Sequence, residues 1–340
     1  MRSLLTVLLI FLVGVSCGCS SIVKVNDERL GKGKEKIVYN QKYYPQKIIN
    51  YNSRDEKHAF IYDKPPQRIV AVWQDTIELL LALGVGDRIV AGMGVPDKKY
   101  ILPEYQHQYE KIPYTSLENL DVETIMMLEP DFIIGWYSTF TAKVLRSTDF
   151  WQQRGINTYI TPSSRTSVYK HKLEDEYSYI LDMGKIFDKN EKAQQLVTQM
   201  QGEIDFVTAK TDKMGQRPRA VIIEFLGKEI SVYGEKTLAG DILTSLGGDL
   251  IAKNNTLSLE QLVDSDPDVI FLVIIEKNYG EEKTFLDRIY KNKALSHLRC
   301  VRNKRVYTVP LYAVYSSGIR TYDGIKIMAH GLYPELYEEK

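Results

Sequence analysis

Two glutamates in this 340-residue chain stand at the same place in the same phrase. Glu123 opens ETIMMLEPDFII and Glu260 opens EQLVDSDPDVIF. In each, a proline follows seven positions on and an aspartate eight, as Pro130–Asp131 and Pro267–Asp268, and an apolar run starts at once. A carboxylate at the exposed start of a short helix is favoured by the helix dipole, and it can accept a forked pair of hydrogen bonds from an arginine. The plain alternative is that each glutamate only stabilises the first turn of its own helix. A second echo accompanies the first: IELLLALG (77–84) and DILTSLGG (241–248) each end an apolar helix face in glycine. A repeat so widely separated is too long for a solenoid. It predicts two similar α/β lobes, and two lobes imply a cleft.

Other reactive residues are scattered. The histidines are His58, His107, His171, His297 and His330, and none stands at metal-ligand spacing from another histidine, a cysteine or an acid. A bare zinc or manganese site is therefore not predicted, although ligands could assemble from distant positions. Haem needs an axial His, Met or Tyr; Met93 and the 23 tyrosines keep that ligand open. No GxSxG elbow or P-loop occurs, and the first strand–turn–helix reads WQDTIE rather than GxGxxG. An enzyme on a two-lobed fold is the rival of another class, and it would need an unrecognised arrangement. Asp175–Glu176 reads as a solvated helix face. Lys+Arg and Asp+Glu both number 44, so no bulk charge points to nucleic acid or a membrane surface. The 23 tyrosines, against 10 Phe and 3 Trp, suit a wet binding cleft; A/T-rich codon usage would give the same excess.

Arg2, the apolar run Leu4–Val15 and the small residues around Cys17 and Cys19 form an export signal too short to span a membrane. A cysteine after small residues resembles a bacterial lipobox, so residues 1–19 read as a lipoprotein signal with Cys17 or Cys19 acylated. Both lack the usual leucine three positions earlier. The polar stretch 20–45, with GKGKEK, reads as a flexible tether. Cys300 is the only later cysteine, which leaves no internal disulfide and predicts a lone buried thiol.

The elements that must position these residues alternate. A hairpin is predicted over 46–63 with SRDE as its turn. Strands are expected at 68–72, 88–92, 131–136 and 156–160. Helices are expected at 75–83, with Asp75 as N-cap, and at 121–128 and 141–153. Two strongly helical segments follow, 173–187 and 189–212, and the second would span about 36 Å at 1.5 Å per residue. The alternation resumes with strands at 219–225, 268–274 and 305–309 and a last helix at 322–332. The plan is a lobe over 46–172, bridging helices over 173–213 and a second lobe over 214–340. Clefts of open sheets lie at the carboxyl ends of the strands, which places Trp73, Gln74, Trp136, Tyr137 and Tyr312 at the cleft.

At this level the chain resembles a known family. PPQRIVAV, ELLLALGVGDRIVAG, ENLDVETIMMLEPDFIIGW, LTSLGGDLIA, LSLEQLVDSDPDVIFL and KNKRVYTVP with RTYDGIKIMAHGLYPEL fall in the order seen in substrate-binding lipoproteins of ABC importers for iron–siderophores and vitamin B12. The resemblance covers residues 46–337. It implies two Rossmann-like lobes joined by one long rigid helix, ligand between them, no catalysis and no cofactor. It also implies a monomer anchored by lipid to the outer face of the cell membrane or in the periplasm, working with an ABC permease dimer and its ATPase. In the family one acid on each lobe meets an arginine pocket on a permease subunit, and Glu123 and Glu260 match those positions.

For the cargo, the resemblance implies a ferric siderophore first and cobalamin or haem second. Bulky anionic chelates want Arg or Lys and aromatic faces. Arg320, after Ser316-Ser317-Gly318 at the mouth of the last helix, is the first candidate to meet ligand. Trp73, Gln74, Trp136, Tyr137, Tyr312 and Tyr315 are further candidates, and Arg165 and Tyr169 sit in the loop before the bridging helices. The alternative for each aromatic is lobe packing.

Overall fold

The computed structural model of the protein describes residues 22–24, 38–165, 170–211, 215–227, 229–252 and 256–337. Cys17, Cys19 and Tyr169 lie outside the described residues. The chain divides into two compact units, Met1–Tyr44 and Pro45–Lys340. In the first, strand Ile22–Lys24 pairs antiparallel with Val38–Asn40, within the segment expected to be a tether.

The second unit opens with the expected hairpin, Gln46–Tyr51 against Lys57–Tyr62. Its turn is an Asx turn: Asn52 Oδ1 accepts the amides of Arg54 and Glu56 at 2.9 and 3.0 Å. A five-stranded parallel sheet follows, in the order Tyr114–Ser116, Ile89–Met93, Ile69–Val72, Phe132–Gly135 and Asn157–Ile160. Every residue of the three central strands is buried, as a sheet covered on both faces requires. The second lobe has the row Thr256–Leu257, Glu229–Val232, Arg219–Leu226, Val269–Ile274 and Val306–Pro310, with Asp249–Leu250 beside the start of Arg219–Leu226. Arg219–Leu226, Val269–Ile274 and Val306–Pro310 run parallel, whereas Glu229–Val232 folds back antiparallel.

Two antiparallel helices span the lobes, Leu173–Phe187 and Asn190–Thr211. The first begins at the second lobe, where the Leu173 amide donates to Asp241 at 2.9 Å. It ends at the first lobe, where Tyr159 Oη donates to Asp182 at 3.1 Å and Phe187 packs edge-on against Phe132. Asp188, in a left-handed conformation with φ 55°, turns the chain. The second helix then runs back, and at its far end Phe206 packs on Tyr337.

The duplicated phrase does the same work twice. Asp131 accepts the amides of Gln67 and Arg68, at 2.8 and 2.9 Å, just before strand Ile69–Val72. Asp268 accepts the Arg219 amide at 2.9 Å, at the start of strand Arg219–Leu226. Helices Gln74–Ala82 and Leu238–Ser245 also end alike. Gly84 and Gly247 sit at φ 75° and 83°, and the next amide reaches back to Leu80 and Leu243 respectively, each at 3.0 Å. This is the Schellman closure, which needs glycine at the left-handed position.

Three local expectations are corrected. Of 141–153, only Thr148–Gln152 is helical. Ser147 caps that helix through the Phe150 amide, and Arg146 just before it has φ 63°, which ends any helix upstream. Asp75 is not an N-cap: helix Gln74–Ala82 starts one residue earlier, after Trp73, and makes no side-chain cap bond there. Asp175–Glu176 is no solvated face. Asp175 accepts the Lys172 amide at 2.9 Å, while Glu176 points inward and is buried.

Candidate functional site: an aromatic and acidic seam between the lobes

The strand-to-helix turns of both lobes meet along a seam. At one side Arg320, 6% exposed, ties the lobes together. Its Nε donates to Glu78 Oε2 at 2.8 Å and its Nη1 to Asp323 at 2.6 Å, and its Nη2 donates to the Tyr100 carbonyl at 2.6 Å. Glu78 and Tyr100 belong to the first lobe. Glu78 also accepts the Leu102 amide at 2.7 Å and Gln74 Nε2 at 3.2 Å. Burial raises the Glu78 carboxyl above the usual range, and the adjoining guanidinium works against that rise. An ion pair this buried is worthwhile only when further hydrogen bonds support it, and here each guanidinium nitrogen and both Glu78 oxygens have a partner. Tyr312 lies under the guanidinium, 4.4 Å from it, and Tyr279 packs against both Tyr312 and Tyr100.

On the other side the seam is aromatic. Trp73 and Trp136, at the ends of adjacent strands, stack with centroids 4.4 Å apart. Tyr315 of the second lobe meets Trp136 edge-on at 5.2 Å. Trp73 has φ 82°, a conformation that a bulky side chain adopts only under constraint. Its amide donates to the Met93 carbonyl at 2.8 Å, and its buried indole N–H has no partner among the described residues. The neighbouring Gly94 must be glycine: a Cβ there would lie 3.1 Å from Trp73 Cα, and its own φ is 86°.

Four acids face this seam. Asp75 accepts the Trp136 indole N–H at 2.9 Å on one oxygen, and its other oxygen is buried without a partner among the described residues. Glu176, on the bridging helix, accepts the Gly318 amide at 2.6 Å. Gly318 passes so close to Asp75 and Tyr179 that a side chain would press on both. Burial pushes Glu176 up to about 7, and burial together with Glu176 drives Asp75 well above its ordinary value. Glu224 stands near the carboxyl end of strand Arg219–Leu226 and Glu276 just past that of Val269–Ile274, both half-buried. Tyr233 Oη donates to Glu224 at 2.8 Å. Burial raises Glu276, and Glu224 raises it further. Strands Arg219–Leu226, Val269–Ile274 and Val306–Pro310 are parallel neighbours, so Glu224, Glu276 and Tyr315, at or just beyond their carboxyl ends, come to the same edge of the second lobe.

The expected residues thus fall into three places. Trp73, Trp136 and Tyr315 come together at the aromatic side, while Gln74, Tyr312 and Arg320 meet at the ion pair. Arg320, expected first to meet ligand, directs its donors to protein groups. Tyr137 and Arg165 lie apart, on the hairpin turn: Tyr137 Oη donates to the Ser53 carbonyl at 3.0 Å, and Arg165 pairs with Asp55. Glu78, Tyr100, Tyr279, Glu176, Glu224 and Tyr233 were missed. Glu78 left a signal, an acid followed at once by the apolar run LLLAL. So did Glu224, in RAVIIEFL, where an acid ends an otherwise apolar strand. Glu123 and Glu260 lie elsewhere, both exposed, in the first turns of helices Val122–Met127 and Leu259–Ser265. Asp121 and Ser258 cap those helices, through the amides of Thr124 at 2.7 Å and Gln261 at 3.1 Å.

The chain is similar to known proteins in sequence and fold. The crystal structure of a periplasmic binding protein from Veillonella parvula matches with a TM-score of 0.83 at 43% identity, covering 86% of this chain and 93% of that one. An uncharacterised ABC transporter substrate-binding lipoprotein of Bacillus subtilis, YvrC, is 25% identical over 322 residues, 92% of each chain. The vitamin B12-binding protein of Vibrio campbellii is 23% identical over 215 residues, 61% of this chain and 70% of that one. The sequence profile of the periplasmic binding protein family matches residues 69–313, from the first parallel strand to the turn after the last, and the chain belongs to that family.

Proposed function

We propose that the protein captures a metal chelate outside the cytoplasm and delivers it to the paired permease subunits of an ABC importer, powered by their ATPase. The carrying observation is the seam itself. Trp73, Trp136 and Tyr315 bring ring faces from both lobes to the carboxyl ends of the strands, where open α/β sheets hold ligands. An iron–siderophore complex is the first reading, on the resemblance of the segments between residues 46 and 337. A corrinoid is the second. Broad aromatic walls favour it, and the Vibrio campbellii relative bears the name of a vitamin B12-binding protein. In this reading Trp73, Trp136 and Tyr315 touch ligand, and Gln74, Tyr312 and Arg320 set the closure of the lobes. Glu123 and Glu260, one exposed carboxylate per lobe, meet the two permease subunits. Lipid on Cys17 or Cys19 holds a monomer at the membrane.

Quenching of tryptophan fluorescence, titrated with ferric siderophores, cobalamin and haem, tests the cargo. Saturable quenching by a ferric siderophore is the expected result. Quenching by cobalamin alone replaces the first reading with the second, and turnover of any ligand without the permease moves the protein to the enzymes.

A further inference from the structure

The charges around the seam specify more than its shape. Arg320 directs Nε, Nη1 and Nη2 to Glu78, Asp323 and the Tyr100 carbonyl, and those two carboxylates already balance its charge. Arg165 is spent on Asp55 and lies over the Tyr51 ring. By contrast, no described lysine or arginine nitrogen lies within ion-pairing distance of Glu224 or Glu276. Tyr233 hydrogen-bonds Glu224, and nothing described neutralises it. Asp75, which accepts the Trp136 indole N–H, has a second buried oxygen without a partner among the described residues, but burial and Glu176 hold its carboxyl well above its ordinary value, so the charge of the seam rests on Glu224 and Glu276. Aromatic faces next to uncompensated carboxylates attract cations through the ring quadrupole and through direct charge. The same set repels an anion, and like charges brought together across an interface are costly.

Resting on the reading of this seam as a chelate site, we propose that it selects a metal chelate without net negative charge, neutral or cationic. Glu224 and Glu276 set that preference, and Trp73, Trp136 and Tyr315 supply the ring faces. Tris-catecholate ferric complexes, which are trianionic, are excluded. Uncharged or cationic ferric trihydroxamates and the corrinoids are admitted. The burial that raises Glu276 also sharpens its response, because a half-desolvated carboxylate gains from a cation what water no longer provides.

The test uses the whole extracytoplasmic protein and probes of graded charge: cationic ferrioxamine B, neutral ferrichrome, trianionic ferric enterobactin, cationic aquocobalamin and neutral cyanocobalamin. Affinities are read by fluorescence and calorimetry at low and high salt. Whichever chelate class binds, the expected ranking is cationic or neutral ahead of anionic by at least about a hundredfold. Glu224→Gln and Glu276→Gln keep the shape and remove the charge. Each is expected to weaken the cationic member about tenfold, to leave the neutral member within about twofold, and to shrink the salt dependence. Binding of the trianion as tight as that of the neutral chelate overturns the charge rule and leaves the chelate reading standing. So do glutamine variants with an unchanged charge ranking. If no chelate of any charge binds, both fail together.

Discussion

The two lobes solve one folding problem with different chemistry. In the first, Asp131 spends both oxygens on backbone amides, of Gln67 and Arg68, and burial raises its carboxyl above the usual range. In the second, Asp268 gives one oxygen to the Arg219 amide and the other to Arg299, 2.8 Å away. The arginines divide differently too. Arg68 alone reaches the carbonyl of Leu128 that ends the preceding helix, at 2.9 Å. In the second lobe Arg299 donates to the Asp266 carbonyl at 2.9 Å, which Arg219 reaches only at 3.5 Å, and Arg299 Nε pairs with the Asp266 side chain at 2.7 Å. The backbone task is common to both lobes, namely joining strand to strand through an aspartate after Pro130 or Pro267. Its electrostatic surroundings differ. Both aspartates are half-buried; an acceptor of several amides is costly to lose, whereas a partly exposed ion pair contributes little.

Four experiments break or sharpen that comparison. The largest effect belongs to the tie between the lobes rather than within either. Glu78→Gln leaves the buried Arg320 guanidinium short of charge and is expected to cost roughly 3–5 kcal/mol in urea unfolding. A cost under about 1 kcal/mol would mean that the pair does not hold the seam. Next, Asp131→Ala is expected to cost about 2–4 kcal/mol and Asp268→Ala about half as much, since fewer amides are orphaned. Equal losses would break the contrast between the lobes.

The third concerns Glu176, which faces Asp75, Tyr179, Ser163 and the Gly318 amide. Its carboxyl lies at about 7 in the fold against 4.5 unperturbed. A raised carboxyl stabilises the fold fully below its unfolded value, and that contribution is lost as pH rises through the folded value. Wild-type stability should therefore fall by roughly 1–3 kcal/mol between pH 4.5 and 7 from this group. Glu176→Gln should flatten that slope in thermal melts; an unaltered slope would assign the pH dependence to other groups. The smallest effect on folding belongs to Glu123→Arg and Glu260→Arg. Both should leave the melting temperature and ligand affinity unchanged while abolishing uptake in cells. A loss of affinity in the purified variants would contradict the docking role.

Much of this was legible in the chain. The Glu–Pro–Asp phrase located equivalent helices and strands in both lobes, because an aspartate that fastens a strand must sit at a fixed offset from it. Gly84 and Gly247 marked the helix ends, because only glycine takes the left-handed closure cheaply. The apolar runs at 69–72, 132–135 and 269–274 announced parallel strands buried on both faces. Helix 141–153 was overextended, because its apolar residues pack from a loop as well as from a helix. Asp175–Glu176 looked solvated, because sequence shows adjacency and not direction.

The sequence by itself determined the periodicities, the breaks between elements and the duplication, since these follow from local backbone preferences and from which side chains water rejects. Only the tertiary structure decided which charges are spent. Arg320 stands 242 residues from Glu78, and that pairing turns an arginine expected to meet ligand into the tie between the lobes. Glu224 and Glu276 lie on neighbouring stretches of one lobe with no described cation to match. Electrostatic partnership depends on distance and on local dielectric, and both are set by how the lobes meet.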